Sequence, residues 1–537
     1  MNKPDNDWWR GAVFYQIYPR SFQDSDGNGV GDLAGITRRL DHVASLAVDG
    51  IWVSPFFTSP MKDYGYDISD FRDVDPLFGT LDDFRVLLAR AHALGLKVLI
   101  DLVVSHSSDR HPWFAESRSS RDNRRADWYV WADPKPDGTP PNNWLSVFGG
   151  PAWEWDSRRR QYYMHNFLPS QPDLNYHNPE VQDAVLDIVR FWLDLGVDGF
   201  RLDALSHYFH DAALIDNPAR NASELTAANV NPSDWQRPVG TRSRPELIGF
   251  LERLRQLLDL YPGTTSIGEV CLDTEERSLP HLTKRDRRLH MAYLSNLSTP
   301  GIGPGNVVAP LVDTESYIAD GWAAWALSNH DVNRVVSRWG LADHAAAVTP
   351  TLIAFMTCLR GSSIVYQGDE LGLPEAELSF EQLQDPVGIT FWPEFKGRDG
   401  CRTPMPWSAE AANAGFSPVA PWLPVAASHL ALAVDRQDGE PSSVLNRVRR
   451  FLAWRQRQPA LRLGTIEFLD TTPPLIACLR RWHGRTILAA FNFGDRPVSL
   501  PLPAGQLFIG LPAADFIADI QDGELRLAPF AAAFCLG

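Results

Sequence analysis

Three scarcities bound this chain. Its 537 residues include five cysteines, Cys271, Cys358, Cys401, Cys478 and Cys535, scattered and with no Cys-x-x-Cys pair. Such usage argues against a disulfide frame or a thiolate zinc site and fits a reducing compartment. Long apolar runs are also missing, and none approaches the roughly 20 residues a membrane span requires. The opening stretch Met1 to Asp7 is polar and acidic, so no secretory leader is expected. The third scarcity is positive charge. Fifty Lys and Arg against 66 Asp and Glu leave −16, which disfavours nucleic acid and anionic membranes as partners. Together these absences point to a cytoplasmic protein, and they leave open whether it is a monomer or homodimer.

What is present suits a folded chain of two to four domains with a large core. The 19 tryptophans are expected mostly in packing, although such rings also stack on sugar faces. The chain is organised around Val197-Asp198-Gly199-Phe200-Arg201-Leu202-Asp203-Ala204. Phe200 and Leu202 alternate with Arg201 and Asp203, the period of a strand, which puts a cation and a carboxylate on one face. Glu269 closes Thr265-Ser266-Ile267-Gly268-Glu269-Val270, and Asn329-His330-Asp331 closes another apolar run. Short strands that each end in a carboxylate are the pattern of a (β/α)8 barrel, in which reactive groups sit at the C-terminal strand ends.

Strands at Ala12 to Tyr18, Gly50 to Ser54 and Val98 to Val104 alternate with helical segments at about Leu40 to Leu46 and Leu81 to Leu94. The alternation lapses between Ser105 and Leu174, a stretch too long for a loop and read as a subdomain inserted after strand three. A helix over Val181 to Leu195 restores it. Strands four to eight follow at Phe200 to Asp203, Thr265 to Val270, His290 to Leu294, Trp322 to Ser328 and Ser362 to Tyr366. From Thr465 short alternating strands and turns predict a separate all-β domain. The expected architecture is therefore α/β: a (β/α)8 TIM barrel over 1–104 and 175–464, an insertion over 105–174, and a C-terminal β-sandwich over 465–537.

Asp24, Asp26, Asn28 and Asp32 alternate like a calcium loop, with Gly29 at its sixth position and the Val30 carbonyl at its seventh. Gly35 stands where the twelfth-position Glu would be, so Asp32 must substitute. No Lys follows the glycines, and four hard oxygen donors would repel phosphate.

At these residues the sequence resembles glycoside hydrolase family 13, the α-amylase family, and within it the α-glucosidase and oligo-1,6-glucosidase group. The likeness spans nearly the whole chain in order. Its motifs are Asp101-Leu102-Val103-Val104-Ser105-His106 (Ser105 stands where Asn is commonest), Gln171-Pro172-Asp173-Leu174-Asn175, Gly199 to Asp203, Gly268-Glu269-Val270 and Asn329-His330-Asp331. The resemblance implies Asp203 as nucleophile, Glu269 as general acid/base and Asp331 as transition-state stabiliser. Retaining cleavage needs one ionised carboxylate and one protonated carboxyl about 5–5.5 Å apart. Arg201 is expected to keep Asp203 ionised, and apolar Ile267 and Gly268 give Glu269 surroundings in which a carboxyl can hold a proton.

The resemblance further implies that His106 and His330 bind the first sugar and that Asp63 and Tyr66 form the pocket base and a stacking platform. It pairs Arg398 with Asp63 at the non-reducing end. Phe148 and Phe167 are candidate walls. One structural Ca or Mg ion is implied at Asp24, Asp26, Asn28, Val30 and Asp32, and no organic cofactor. Ala204 takes the position where Val accompanies α-1,6 preference in the group, which favours an exo-acting α-1,4 glucosidase with glucosyl transfer. The alternatives are an oligo-1,6-glucosidase, or a sucrose-acting hydrolase or isomerase whose Arg-Leu-Asp-Arg-Asn string is absent here. A non-catalytic partner protein of the same fold is a third, disfavoured by the three carboxylates retained.

Overall fold

The computed structural model describes residues 6–225, 229–270, 279–284 and 287–537. Eight parallel strands form a closed barrel: β1 (Val13–Ile17), β2 (Gly50–Val53), β3 (Lys97–Leu102), β4 (Gly199–Leu202), β5 (Thr265–Val270), β6 (Met291–Leu294), β7 (Ala323–Ala326) and β8 (Ser362–Tyr366). Each pairs with its sequence neighbour, and β8 returns to β1, with Val13 opposite Ser363. Alternate side chains point inward. Phe14, Trp52, Leu99, Ile267, Met291, Ala324 and Ile364 fill the interior as one cluster, so the barrel is a packed core beneath its mouth. The outward set packs against helices α1 (Leu33–Ser45), α2 (Leu81–Ala93), α3 (Pro179–Leu195), α4 (Leu247–Leu258), α5 (Val308–Tyr317) and α6 (Ala345–Cys358).

The helix boundaries have local causes. Thr80 and Asp83 form a capping box at the start of α2. Asn178 caps α3, Pro179 occupies its first turn, and Gly196 ends it at φ 102°, a conformation that disfavours any side chain. At β4 the chain must pass close to β5: a Cβ on Gly199 would lie 2.1 Å from the Thr265 carbonyl oxygen. Helix α1 begins seven residues before the Leu40 read from the sequence, because Asp32 accepts from Gly35 N and starts the helix there.

Between β3 and α3, a three-stranded antiparallel sheet (Trp131–Ala132, Gln161–Met164 and Trp153–Asp156) is joined to the barrel rim by the His106–Asp173 bridge. After helix α7 (Val444–Gln456), a five-stranded antiparallel sheet faces a three-stranded one. Leu475, Leu479 and Leu488 of the first meet Leu500, Leu525 and Leu527 of the second. The opposite face docks on the barrel, with Phe491 edge-on to Phe355 of α6 at 5.5 Å. Cys358, Cys401, Cys478 and Cys535 are buried and unpaired, whereas Cys271 lies outside the described residues. Among the described residues no helix is long and apolar enough to cross a membrane.

Candidate active site

The strand register assembles the first cluster. Asp101 on β3 is level with Arg201 on β4, and Asp203 follows two residues on, so one guanidinium reaches both. Arg201 Nη1 donates to Asp101 Oδ1 at 2.9 Å and to Asp203 Oδ1 at 2.5 Å, while Nη2 lies 2.7 Å from Glu269 Oε1. The guanidinium is wholly buried and sits 4.9 Å over the Trp52 ring. Ala204, directly after the nucleophile candidate, adopts φ 44° and ψ 39°. That left-handed turn aims its N–H at Glu269 Oε2, 2.8 Å away.

Burial pushes Asp101 up to about 6, with Arg201 pulling the other way. Burial also pushes Asp203 up; Arg201 opposes this, while Glu269 and Asp101 add to it. Arg201 lowers Asp203 as expected, but burial together with Glu269 and Asp101 acts against it. One cation serves three carboxylates, so the substrate-free cluster favours holding a proton. Nor is Glu269 enclosed by apolar groups: its side chain is 26% exposed.

A second cluster hangs from the loops after β2, β7 and β8. Arg398 Nη2 donates to Asp63 Oδ1 at 3.1 Å and to Asp385 Oδ1 at 2.8 Å, and Nη1 to Asp331 Oδ1 at 3.0 Å. Arg402 Nη2 adds 2.8 Å to the same Asp331 oxygen. Burial opposes charge on Asp331, yet His330, Arg398 and Arg402 hold it well below the usual carboxylate range. Asp63 goes the other way, raised by burial to about 6. The Tyr66 ring stacks on His330 with centroids 5.3 Å apart, and its hydroxyl reaches Asp101 Oδ2 at 3.2 Å, linking the two clusters. His106 Nε2 lies 2.8 Å from the Tyr66 carbonyl, and Ser105 Oγ, in the position where the motif usually has Asn, lies 2.9 Å from His106 Nδ1. Phe148 lies 5.2 Å from the Arg398 guanidinium and 5.5 Å from Phe167, which flanks His106.

All eleven catalytic and sugar-binding candidates thus converge at one barrel mouth. Four members were missed. Asp101 and Gln171 stood inside quoted motifs, and Gln171 Nε2 donates to Asp63 Oδ2 at 3.0 Å. Asp385 and Arg402 had no signal beyond Arg402 following Arg398 by four residues, because only loop packing brings them in.

The acidic loop runs between β1 and α1. Oxygen atoms of Asp24, Asp26 and Asp32 all fall within 4.8 Å of one another. Asp24 accepts from Gly27 N, Gly29 N and Ser417 Oγ, Asp32 from Ser25 and Gly35, and Asn28 Oδ1 from Val30 N. Among the described residues no Arg or Lys pairs with these three carboxylates. Burial and the neighbouring Asp32 and Asp24 charges raise Asp26. Converging hard oxygens without a compensating cation fit a divalent metal.

A parallel barrel that gathers carboxylates, arginines and aromatic rings at its mouth has the architecture of a glycosidase. The family model for the α-amylase catalytic domain matches residues 16–464. A probable alpha-glucosidase of Rhizobium meliloti is 54% identical over 99% of this chain and 97% of its own length. An oligo-1,6-glucosidase of Heyndrickxia coagulans is 35% identical over 93% and 94%. The crystal structure of an alpha-glucosyl transfer enzyme, XgtA, superposes with a TM-score of 0.96 at 54% identity, covering 100% of both chains. The chain belongs to glycoside hydrolase family 13, in its α-glucosidase and oligo-1,6-glucosidase group, and is an enzyme.

Proposed function

We propose that this protein is an exo-acting, retaining α-glucosidase that removes the non-reducing α-D-glucosyl unit of short α-1,4-linked sugars and passes part of it to sugar acceptors. The observation that carries this reading is the Arg398 clasp on Asp63, Asp331 and Asp385. A mouth tied shut there offers a dead-end recess for one chain end rather than an open cleft. Asp203 attacks C1 while Glu269 protonates the departing oxygen. The covalent glucosyl-enzyme is then resolved by water or a sugar hydroxyl whose proton returns to Glu269. Glu269, within 2.8 Å of the Ala204 N–H, supplies the acid, and the strongly ionised Asp331 faces the oxocarbenium-like charge. The transfer activity stated for the XgtA relative supports the second route.

The Asp24–Asp32 loop is read as holding one Ca or Mg ion with a structural role, its charge supplied where no side-chain cation reaches. The buried, unpaired cysteines support a cytoplasmic setting.

Proton NMR of reactions on maltose, isomaltose, sucrose and trehalose tests the whole reading. Maltose should be cleaved fastest, with α-glucose appearing first and transfer products accumulating. Initial β-glucose would overturn retention, and preference for isomaltose would overturn the linkage. Sucrose is included because a solved trehalulose synthase superposes with a TM-score of 0.88 at 32% identity. Isomerised sucrose as the main product would replace the hydrolytic reading.

A further inference from the structure

Gln16 lies in β1, fully buried, and carries none of the roles above. Its amide nitrogen is 2.8 Å from His330 Nδ1 and 3.2 Å from Ser54 Oγ. Across the same ring, His330 Nε2 is 2.5 Å from the Tyr66 hydroxyl and 3.1 Å from Asp331 Oδ2. An amide nitrogen only donates, so Nδ1 must offer a lone pair. An ionised carboxylate only accepts, so Nε2 must carry the hydrogen. Two residues on different elements therefore demand the same tautomer. Turning the Gln16 amide over would put the hydrogen on Nδ1 and leave the Nε2 lone pair facing Asp331, acceptor against acceptor. A doubly protonated ring is disfavoured because burial pushes His330 down to about 3. Tyr18 and Tyr66 rings, 5.7 and 5.3 Å away, stack on it and fix its plane.

We propose that Gln16 is a positioning residue: acting through His330, it holds the ring as the Nε2–H tautomer, so that a donor faces Asp331 and Tyr66 at the floor of the pocket. Tyr66 can then accept from His330 and donate onward to Asp101 Oδ2, which joins the Arg201 cluster to the Asp331 cluster through one oriented chain of hydrogen bonds. No motif marks Gln16, since a buried glutamine in a strand is ordinary core. Only the barrel closure brings it to a residue 314 positions away.

The proposal rests on the catalytic reading of Asp331, so the test reads the tautomer directly. The full-length protein is labelled with nitrogen-15 in its histidine rings, and the His330 signals are identified by their loss in His330→Gln. Wild type should show a pyrrole-type Nε2 and a pyridine-type Nδ1. Gln16→Glu keeps the shape but accepts when ionised. It should put a second hydrogen on the ring, at Nδ1, while Nε2 keeps its own toward Asp331, and lower kcat on p-nitrophenyl α-glucoside by about tenfold or more, with a smaller change in KM. Gln16→Met keeps the volume without a donor, leaves the tautomer to Asp331 and should move the Nδ1 signal to that of a pyridine-type nitrogen with no hydrogen bond, which covers the case of a Gln16→Glu chain that does not fold. A hydrogen on Nδ1 in wild type, or His330 ring signals unchanged in both folded variants, would overturn the proposal. Absence of α-glucosidase activity would instead remove the functional reading while the spectra still decided the tautomer.

Discussion

The molecule carries two clusters of carboxylates, and they are neutralised in opposite ways. At the barrel mouth Asp101, Asp203, Glu269, Asp63, Asp331 and Asp385 share Arg201, Arg398 and Arg402. In the loop before α1, Asp24, Asp26 and Asp32 receive backbone N–H groups and hydroxyls, and among the described residues no Arg or Lys pairs with them. The first cluster is complete in itself and can tune protons, since moving any one carboxylate's proton changes its neighbours. The second has fixed geometry and uncompensated charge. It suits a cation that stays in place.

Replacing members of the first cluster should affect turnover far more than folding. Asp203→Asn should lower kcat on maltose by about 10⁴-fold or more while the thermal midpoint holds, because an amide cannot form the glucosyl-enzyme. Wild-type-like turnover would end the assignment of Asp203. Glu269→Gln should cost about 10²–10⁴-fold on maltose. It should cost much less on a substrate with an activated phenolate leaving group, which needs no proton. Equal losses on both substrates would remove Glu269 from the acid role.

Proton linkage sharpens the contrast. Asp63 is raised from 3.8 to about 6 in the folded chain. Between those values the folded state keeps a proton that the unfolded state has released, so stability is greater below that window and falls as pH rises through it. Asp63→Asn should flatten the fall in thermal midpoint between pH 4 and 6, by no more than about 3 kcal/mol at full effect. Asp101 has the same direction and should preserve part of the slope. An unchanged profile would mean that Asp63 titrates as it does in the unfolded chain.

The loop should respond to the reverse treatment. Chelation should lower the thermal midpoint by about 5 °C and leave initial rates in the cold nearly intact, with recovery on adding Ca or Mg. Asp26→Asn is the sharper variant, since Asp26 accepts from exposed Asn28 within its own turn, whereas Asp24 holds Ser417 and Asp32 caps α1 and would be missed with or without an ion. If chelation leaves the midpoint of wild type and Asp26→Asn alike, the loop is a turn without a metal.

The smallest effect concerns linkage. Ala204→Val should raise the isomaltose-to-maltose ratio of kcat/KM by about tenfold or less, the scale of a methyl-sized change in a pocket. The left-handed backbone at Ala204 adds a strain of about 1–3 kcal/mol for a β-branched residue. The comparison therefore uses the ratio of two substrates on one variant, which global strain does not move. A constant ratio would dismiss Ala204 as a determinant.

The barrel was legible because its strands are short apolar runs at regular spacing, and its carboxylates because they end those runs. Helix α1 was misjudged at its start because one residue, Asp32, reads as a ligand and also serves as a cap. Arg201 and Asp203 were legible as a pair, but the sharing of that guanidinium with Asp101 and Glu269 was not, because those carboxylates lie on other strands.

Periodicity and motif order by themselves determined the class of fold and marked the candidate carboxylates and the acidic loop, since those depend on residue type and local spacing. Barrel closure and loop packing decided the rest. They brought Asp385 and Arg402 to Asp63 and Asp331, spread one guanidinium over three carboxylates, and set Gln16 against His330. Such contacts join residues hundreds of positions apart, and electrostatics depends on distance in space rather than along the chain.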